Sequence, residues 1–153
     1  VICQYIKDES IDELLTTPFD YVVDAIDTLA PKVNLIATAY QLGYPLVSSM
    51  GAGGKMNPAL VQVADLSKSY NCPLARFIRK RLSKKGIRKG FKVVFSPEDI
   101  PEEAVRIEES ANKKSAVGTI SYMPALFGIH CASVVITDLL KSNPATPVPS
   151  PEI

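Results

Sequence analysis

Apolar residues fall along the chain in blocks whose spacing switches between strand-like runs and helix-like stripes. VICQYI (1–6) reads as a short strand. Ser10, with Glu13 three positions on, is a capping box in which hydroxyl and carboxylate satisfy each other's free amides, and it predicts a short helix over Ser10–Leu15. DYVVDAI (20–26) is a nearly continuous apolar run, the pattern of a strand covered on both faces. Val33, Ile36, Ala37 and Tyr40 then return at the helical period, with Pro31 suited to a first turn and Gly43 to a stop. PLVSSM (45–50) is a further strand, so strand, helix and strand form a βαβ unit with a parallel sheet.

After Met50 the pattern changes. GAGG (51–54) leads into ALVQVADL (59–66) with no helical stripe between them, which predicts a turn and an antiparallel strand. Leu74, Phe77, Ile78 and Leu82 mark the apolar face of an amphipathic helix, on which Phe77 is expected in the core, and FKVVF (91–95) is another strand. The stretch from Pro97 to Lys114 reads as loop with some helix, and a final helix runs from about Pro124 to Lys141. The expected fold is therefore α/β: parallel strands at Val1, Tyr21 and Leu46, extended by antiparallel strands near Val61 and Lys92, with a terminal helix. Residues 1–142 form the folded portion, and 143–153 a proline-rich extended tail.

At 153 residues the chain suffices for one domain with a core, and 46% hydrophobic with 22% charged residues excludes the disordered and collagen-like classes. Residue 1 is valine, no signal-like segment opens the chain, and strand begins at once, so a start inside a larger protein is expected. Cys3, Cys72 and Cys131 are an odd number without a C-x-x-C pair, which argues against a disulfide framework and a thiolate zinc site, and for a reducing, cytoplasmic setting. The net charge of +1 conceals a segment, Lys68–Lys92, with ten cations and no acid. That excess favours a polyanion such as RNA over a merely solvated face, with Arg76, Arg79, Lys80, Lys84, Lys85, Arg88 and Lys89 as candidate phosphate contacts.

Asp24 and Asp27 stand at the carboxyl end of the second strand, where open α/β sheets place ligand crevices and a carboxylate can hold magnesium beside phosphates. A helix cap and a solvated acid would give the same spacing, and the pattern leaves both open. GAGGK (51–55) lacks the spacing of a phosphate loop and reads as a tight turn. Cys72 precedes a basic helix, where a thiolate would be favoured, and His130 reads as a core residue of the last helix. The weakly charged run Ala116–Ile136 is about as long as a membrane span. Its polar interruptions favour a buried helix, with peripheral membrane association the lesser alternative.

FDYVVDAIDTLAPKVNLI (19–36), PLVSSMGAGGKMNPALVQVADLSKSYNCPLARFIRKRL (45–82) and VGTISYMPALFGIHCAS (117–133) together closely resemble the ThiF/MoeB/HesA superfamily of adenylating enzymes, nearest to the tRNA threonylcarbamoyladenosine dehydratases. The resemblance implies the C-terminal half of a Rossmann-like adenylating fold, whose N-terminal half would carry the glycine-rich nucleotide turn. It implies ATP and Mg2+ as cofactors without zinc, with Asp27 as catalytic residue and magnesium ligand and with Asp24 and Lys32 at neighbouring cofactor-binding positions. tRNA is the implied partner, in a homodimeric enzyme that adenylates a carboxylate on the modified adenosine and closes it to a cyclic form. A cysteine that some dehydratases carry before Val117 is replaced here by Lys113 or Lys114. The ThiF- and MoeB-like alternative, activation of a sulfur-carrier or ubiquitin-like protein, lacks here the paired C-x-x-C zinc site common to those branches. A non-catalytic RNA-binding or dimerisation fragment is the third reading.

Overall fold

A computed structural model of the chain describes residues 1–6, 9–100, 105–106 and 116–142. Strands β1 (Val22–Asp24), β2 (Leu46–Ser49), β3 (Gln62–Asp65) and β4 (Lys92–Phe95) form one sheet in the order β1-β2-β4-β3. β1 pairs parallel with β2, setting Val22 opposite Leu46 and Asp24 opposite Ser48. β2 pairs parallel with β4, and β3 closes the far edge antiparallel to β4. The helices are α1 (Glu9–Leu14), α2 (Leu29–Gln41), α3 (Pro73–Ser83) and α4 (Tyr122–Ser142), and a separate two-stranded ribbon joins β5 (Val105–Arg106) to β6 (Ala116–Val117). A Rossmann-like mixed sheet with a terminal helix is the architecture expected of the sequence, and in the structure helices pack on both of its faces.

Alternation along each strand sends side chains to opposite faces of the sheet. Leu46, Val93 and Phe95 join a core with Ile36 of α2 and Ile78 and Leu82 of α3, all buried. Val47 and Val94 point the other way, onto Met123, Phe127, Cys131 and Val134 of α4. Each fully buried aliphatic or aromatic side chain contributes about 1.5–3 kcal/mol relative to exposure. Pro73 starts α3 where its missing amide costs nothing, and Lys80 and Arg81 lie in its last turn, where cations meet the negative end of the helix dipole. Beyond the helices, Tyr21 and Lys92, at the starts of β1 and β4, both donate to Asp138 of α4, at 2.9 Å and at 2.5 and 2.8 Å. Burial, reinforced by Asp138, pushes the Tyr21 phenol above its ordinary value.

Four expectations are corrected. Residues 1–6 form no strand. The Lys92 strand runs parallel to the Leu46 strand, because α3 carries the chain back across the sheet. The Val61 segment does run against them, as the missing crossover helix after Met50 requires, but at the edge, with β4 inserted between it and β2. Val23 is 49% exposed, because β1 is an edge strand and α4 packs over β2 and β4 instead. Phe77 lies outside the core at 48% exposure, while its neighbour Ile78 is fully buried. α4 itself is buried along one stripe only, with Ile129, Ile136 and Leu140 exposed on the other side, although its length and mean hydropathy would suit a membrane span. Helix within Pro97–Lys114, the replacement at Lys113 or Lys114 and the extended tail at 143–153 fall wholly or mainly outside the described residues.

Candidate functional site

The end of β1 is tied to β2 by a charged clasp. Asp24 and Lys32 are both fully buried, and the Lys32 ammonium lies 2.6 Å from Asp24 Oδ2. Ser48 Oγ donates to the same oxygen at 2.5 Å, and the amide of Ile26 donates to Oδ1 at 3.1 Å. Lys32 uses its remaining donors on the carbonyls of Ile26, at 3.0 Å, and Ser49, at 2.7 Å. Every charge in the clasp is therefore met by an opposite charge or a dipole, the condition under which an ion pair can be kept out of water. The clasp pins the turn from β1 into α2, and Asp27 stands in that turn with an exposed side chain.

The three residues expected at the cofactor thus divide. Asp27 presents a carboxylate at the surface, Asp24 holds both of its oxygens inside the clasp, and Lys32 has no exposed surface. A hard cation held through one carboxylate, water and substrate phosphates fits Asp27. It does not fit Asp24, whose oxygens could not turn outward without leaving Lys32 unpaired in the interior. From the other face of the sheet Cys131 lies close enough to feel both charges of the clasp, and burial pushes its thiol up. Among the described residues no three His, Cys, Asp or Glu side chains converge as a metal cluster.

Ser48 was not among the residues singled out in the sequence. Its signal is a polar residue inside an apolar strand block, and its partner follows from the register that sets it opposite Asp24. A second group not foreseen surrounds the GAGGK turn. Lys55 is buried and donates to the Glu98 carbonyl, while the Glu98 carboxylate accepts from the amides of Met56 and Asn57 at 2.9 Å. Burial holds Lys55 below its ordinary value. These contacts join the turn to the segment after β4. They belong to the turn reading, with no amide left pointing toward a phosphate at Met56 or Asn57.

Most of the basic residues lie on α3 or in the turn after it. Arg76 is exposed, with its guanidinium 5.4 Å from the Phe77 ring centroid. Arg79 is turned inward, donating to the Ser69 carbonyl at 2.6 Å and also to its hydroxyl. Lys80, Lys84, Lys85, Arg88 and Lys89 are exposed. Lys92, acid-free by sequence, is paired with Asp138 across the fold. Cys72 precedes the first residue of α3 without a side-chain capping bond and is buried, and His130 is half-buried on α4.

Comparison with known proteins places this arrangement among relatives. Over 145 residues the chain is 34% identical to tRNA threonylcarbamoyladenosine dehydratase of Bacillus subtilis (strain 168), covering 90% of this chain and 57% of the relative. It is 33% identical over 146 residues to tRNA threonylcarbamoyladenosine dehydratase 2 of Saccharomyces cerevisiae, covering 84% and 32%. The crystal structure of the E. coli tRNA N6-threonylcarbamoyladenosine dehydratase in complex with ATP superposes with a TM-score of 0.80 at 27% identity, over 95% of this chain and 58% of that one. The chain thus spans little more than half the length of the bacterial relatives it matches. The model of the ThiF family matches residues 1–150, a span that holds the whole sheet, the clasp and the basic helix, and the chain belongs to the ThiF family.

Proposed function

We propose that the chain is part of an ATP-dependent tRNA-modifying enzyme that adenylates the carboxylate of threonylcarbamoyladenosine in tRNA and so drives its cyclisation. The observation that carries this reading is the exposed Asp27 carboxylate at the carboxyl end of β1, beyond a buried clasp that fixes its turn. The E. coli relative binds ATP and AMP in its crystal structures, and the family match extends across the site.

Adenylation brings two anions together, a substrate carboxylate and the triphosphate. Asp27 would hold magnesium there, and magnesium, when bound, offsets the charge that builds on the phosphate oxygens. The chain's own residues supply position. The Asp24–Lys32–Ser48 clasp keeps the backbone at Ile26 fixed, so that the Asp27 side chain is presented without reorganisation when substrate arrives. Attack of the carboxylate on the α-phosphorus would release pyrophosphate, and ring closure at the activated acyl carbon would then expel AMP, so each turnover consumes one ATP and delivers a cyclised nucleoside. The cations of α3 complete the reading by attracting the tRNA backbone.

The test is Asp27→Ala in the full-length protein, followed by ATP–pyrophosphate exchange with tRNA and by nucleoside analysis of the product. Exchange and cyclisation are expected to disappear while the thermal midpoint stays within about a degree or two, because the side chain is exposed and takes no part in the core. Wild-type exchange in that variant would remove Asp27 from the chemistry. Exchange that depends on the tail of a carrier protein instead of tRNA would transfer the reading to the sulfur-carrier branch.

A further inference from the structure

The ten cations between Lys68 and Lys92 are not equivalent in space. Lys92 is neutralised by Asp138, and Arg79 spends two hydrogen bonds on Ser69. The others are distributed about α3 in a way that the linear charge run does not reveal. A cleft of about 250 Å³ lies between α2 and α3, lined by Ala30, Val33, Asn34, Arg81, Lys84 and Lys85. A second, of about 340 Å³, opens on the opposite flank of α3 and is lined by Ser67, Arg79, Lys80, Ser83 and Arg88. Among the described residues no acid lines either cleft. Phe77 and Lys80 of α3 are both exposed, and Lys80 is among the residues of the second cleft.

Resting on the tRNA reading above, we propose that α3 is a ridge straddled by double-stranded RNA, with one phosphate backbone seated in each cleft. An α-helix with its side chains is about 10–12 Å across, so a single strand lying in one cleft cannot also fill the other. Cations on both flanks of one ridge suit two backbones. The shallow minor groove of an A-form stem offers phosphates and 2′-hydroxyls to such a shape, for which Ser67 and Ser83 in the second cleft are suitable partners. Phosphate contacts position a nucleic acid without reading its sequence, so the ridge selects a stem by form. The α2–α3 cleft includes Ala30 and Val33, from the first turns of the helix that follows Asp27. The backbone seated there is the one that leads to the reacting nucleoside.

The experiment measures binding to an unmodified anticodon stem-loop, and to a single strand of the same length unable to fold, against salt and without ATP. Two variants of the full-length protein are compared, Arg81→Gln/Lys84→Gln/Lys85→Gln and Lys80→Gln/Arg88→Gln. Each is expected to weaken the stem-loop and to reduce the steepness of its salt dependence by roughly one per lost contact, with the combined variant losing the sum. The single strand should bind more weakly from the outset and respond to one variant only. The Lys→Arg versions at 80, 84 and 85 should restore the salt slope, which separates lost charge from lost fold. Equal affinity for stem-loop and single strand, or a stem-loop slope unmoved by either variant, would overturn the ridge, as would competition by acidic protein or anionic vesicles as strong as that by RNA. Because ATP is absent, an enzyme that binds the stem through both clefts but exchanges no pyrophosphate refutes the adenylation reading and leaves the ridge standing.

Discussion

The Lys32 ammonium and the Asp24 carboxylate meet at 2.6 Å with neither side chain exposed, one from the first turns of α2 and the other from the end of β1. Removing one partner leaves the other charged in the interior, a loss of about 3–5 kcal/mol. Asp24→Asn and Lys32→Met should therefore each lower the urea midpoint sharply. The double variant Asp24→Asn/Lys32→Met should recover most of the stability without recovering activity, since the turn before Asp27 loses its anchors. A double variant no more stable than either single one would show that the pair is not coupled.

Asp138 gives a pH signature. Hydrogen bonding from Lys92, the largest influence, holds its carboxyl below the ordinary range. A carboxyl with a lower value in the folded state contributes stability above its unfolded value, near 3.9, and loses it as pH falls through the folded one. Asp138→Asn should thus be less stable than wild type at neutral pH by about 1 kcal/mol, as for a partly exposed pair. The gap should close below about pH 4. Chemical denaturation across that window reads the difference, and a gap that widens on acidification would contradict the assignment.

Gly54 adopts φ +70°, and an added Cβ would stand 2.5 Å from Ile100 Cγ2 and 3.1 Å from Val117 Cγ1. Gly43, at φ +77°, has open space in the same place. Both substitutions by alanine incur about 1–2 kcal/mol for the left-handed backbone. Only Gly54→Ala must also displace the Ile100 side chain, so its melting temperature should drop visibly further than that of Gly43→Ala. Equal losses would mean that the contact with Ile100 yields freely.

Phe77 and Ile78 are neighbours in sequence with opposite surroundings. Ile78→Ala removes a fully buried side chain from the α2–α3 core and should cost about 2–5 kcal/mol. Phe77→Ala, at an exposed position, should stay within about 0.5 kcal/mol in stability. Thermal denaturation of the two variants side by side decides between core and surface.

Local spacing made β1, α2, β2, α3 and the direction of β3 legible, because each depends on a period that a short window contains. The position of β4 did not follow, since it depends on where α3 sets the chain down and not on anything within FKVVF. Phe77 was misplaced for a geometric reason: a helical stripe about 100° wide has soft borders, and Phe77 and Ile78 sit on either side of one. At the site, the two aspartates were visible as a pair, but their division into a buried anchor and an exposed group was not. That division depends on Ser48 and Lys32 reaching Asp24, which only the strand register and the first turns of α2 bring about.

The insertion of β4 between β2 and β3 bears on how the molecule comes into being. A chain synthesised from its N-terminus can pair β1 with β2 as soon as Leu46–Ser49 has emerged, but β3 then has no neighbour to join. Until Lys92–Phe95 leaves the ribosome, Gln62–Asp65 waits as an unpaired edge, and β4 must enter between two segments already made. Long-range pairing of this kind is slow to form and exposed to aggregation while it waits. Translation pauses, chaperone contact or a weakened FKVVF segment should accordingly act on yield before they act on the finished protein.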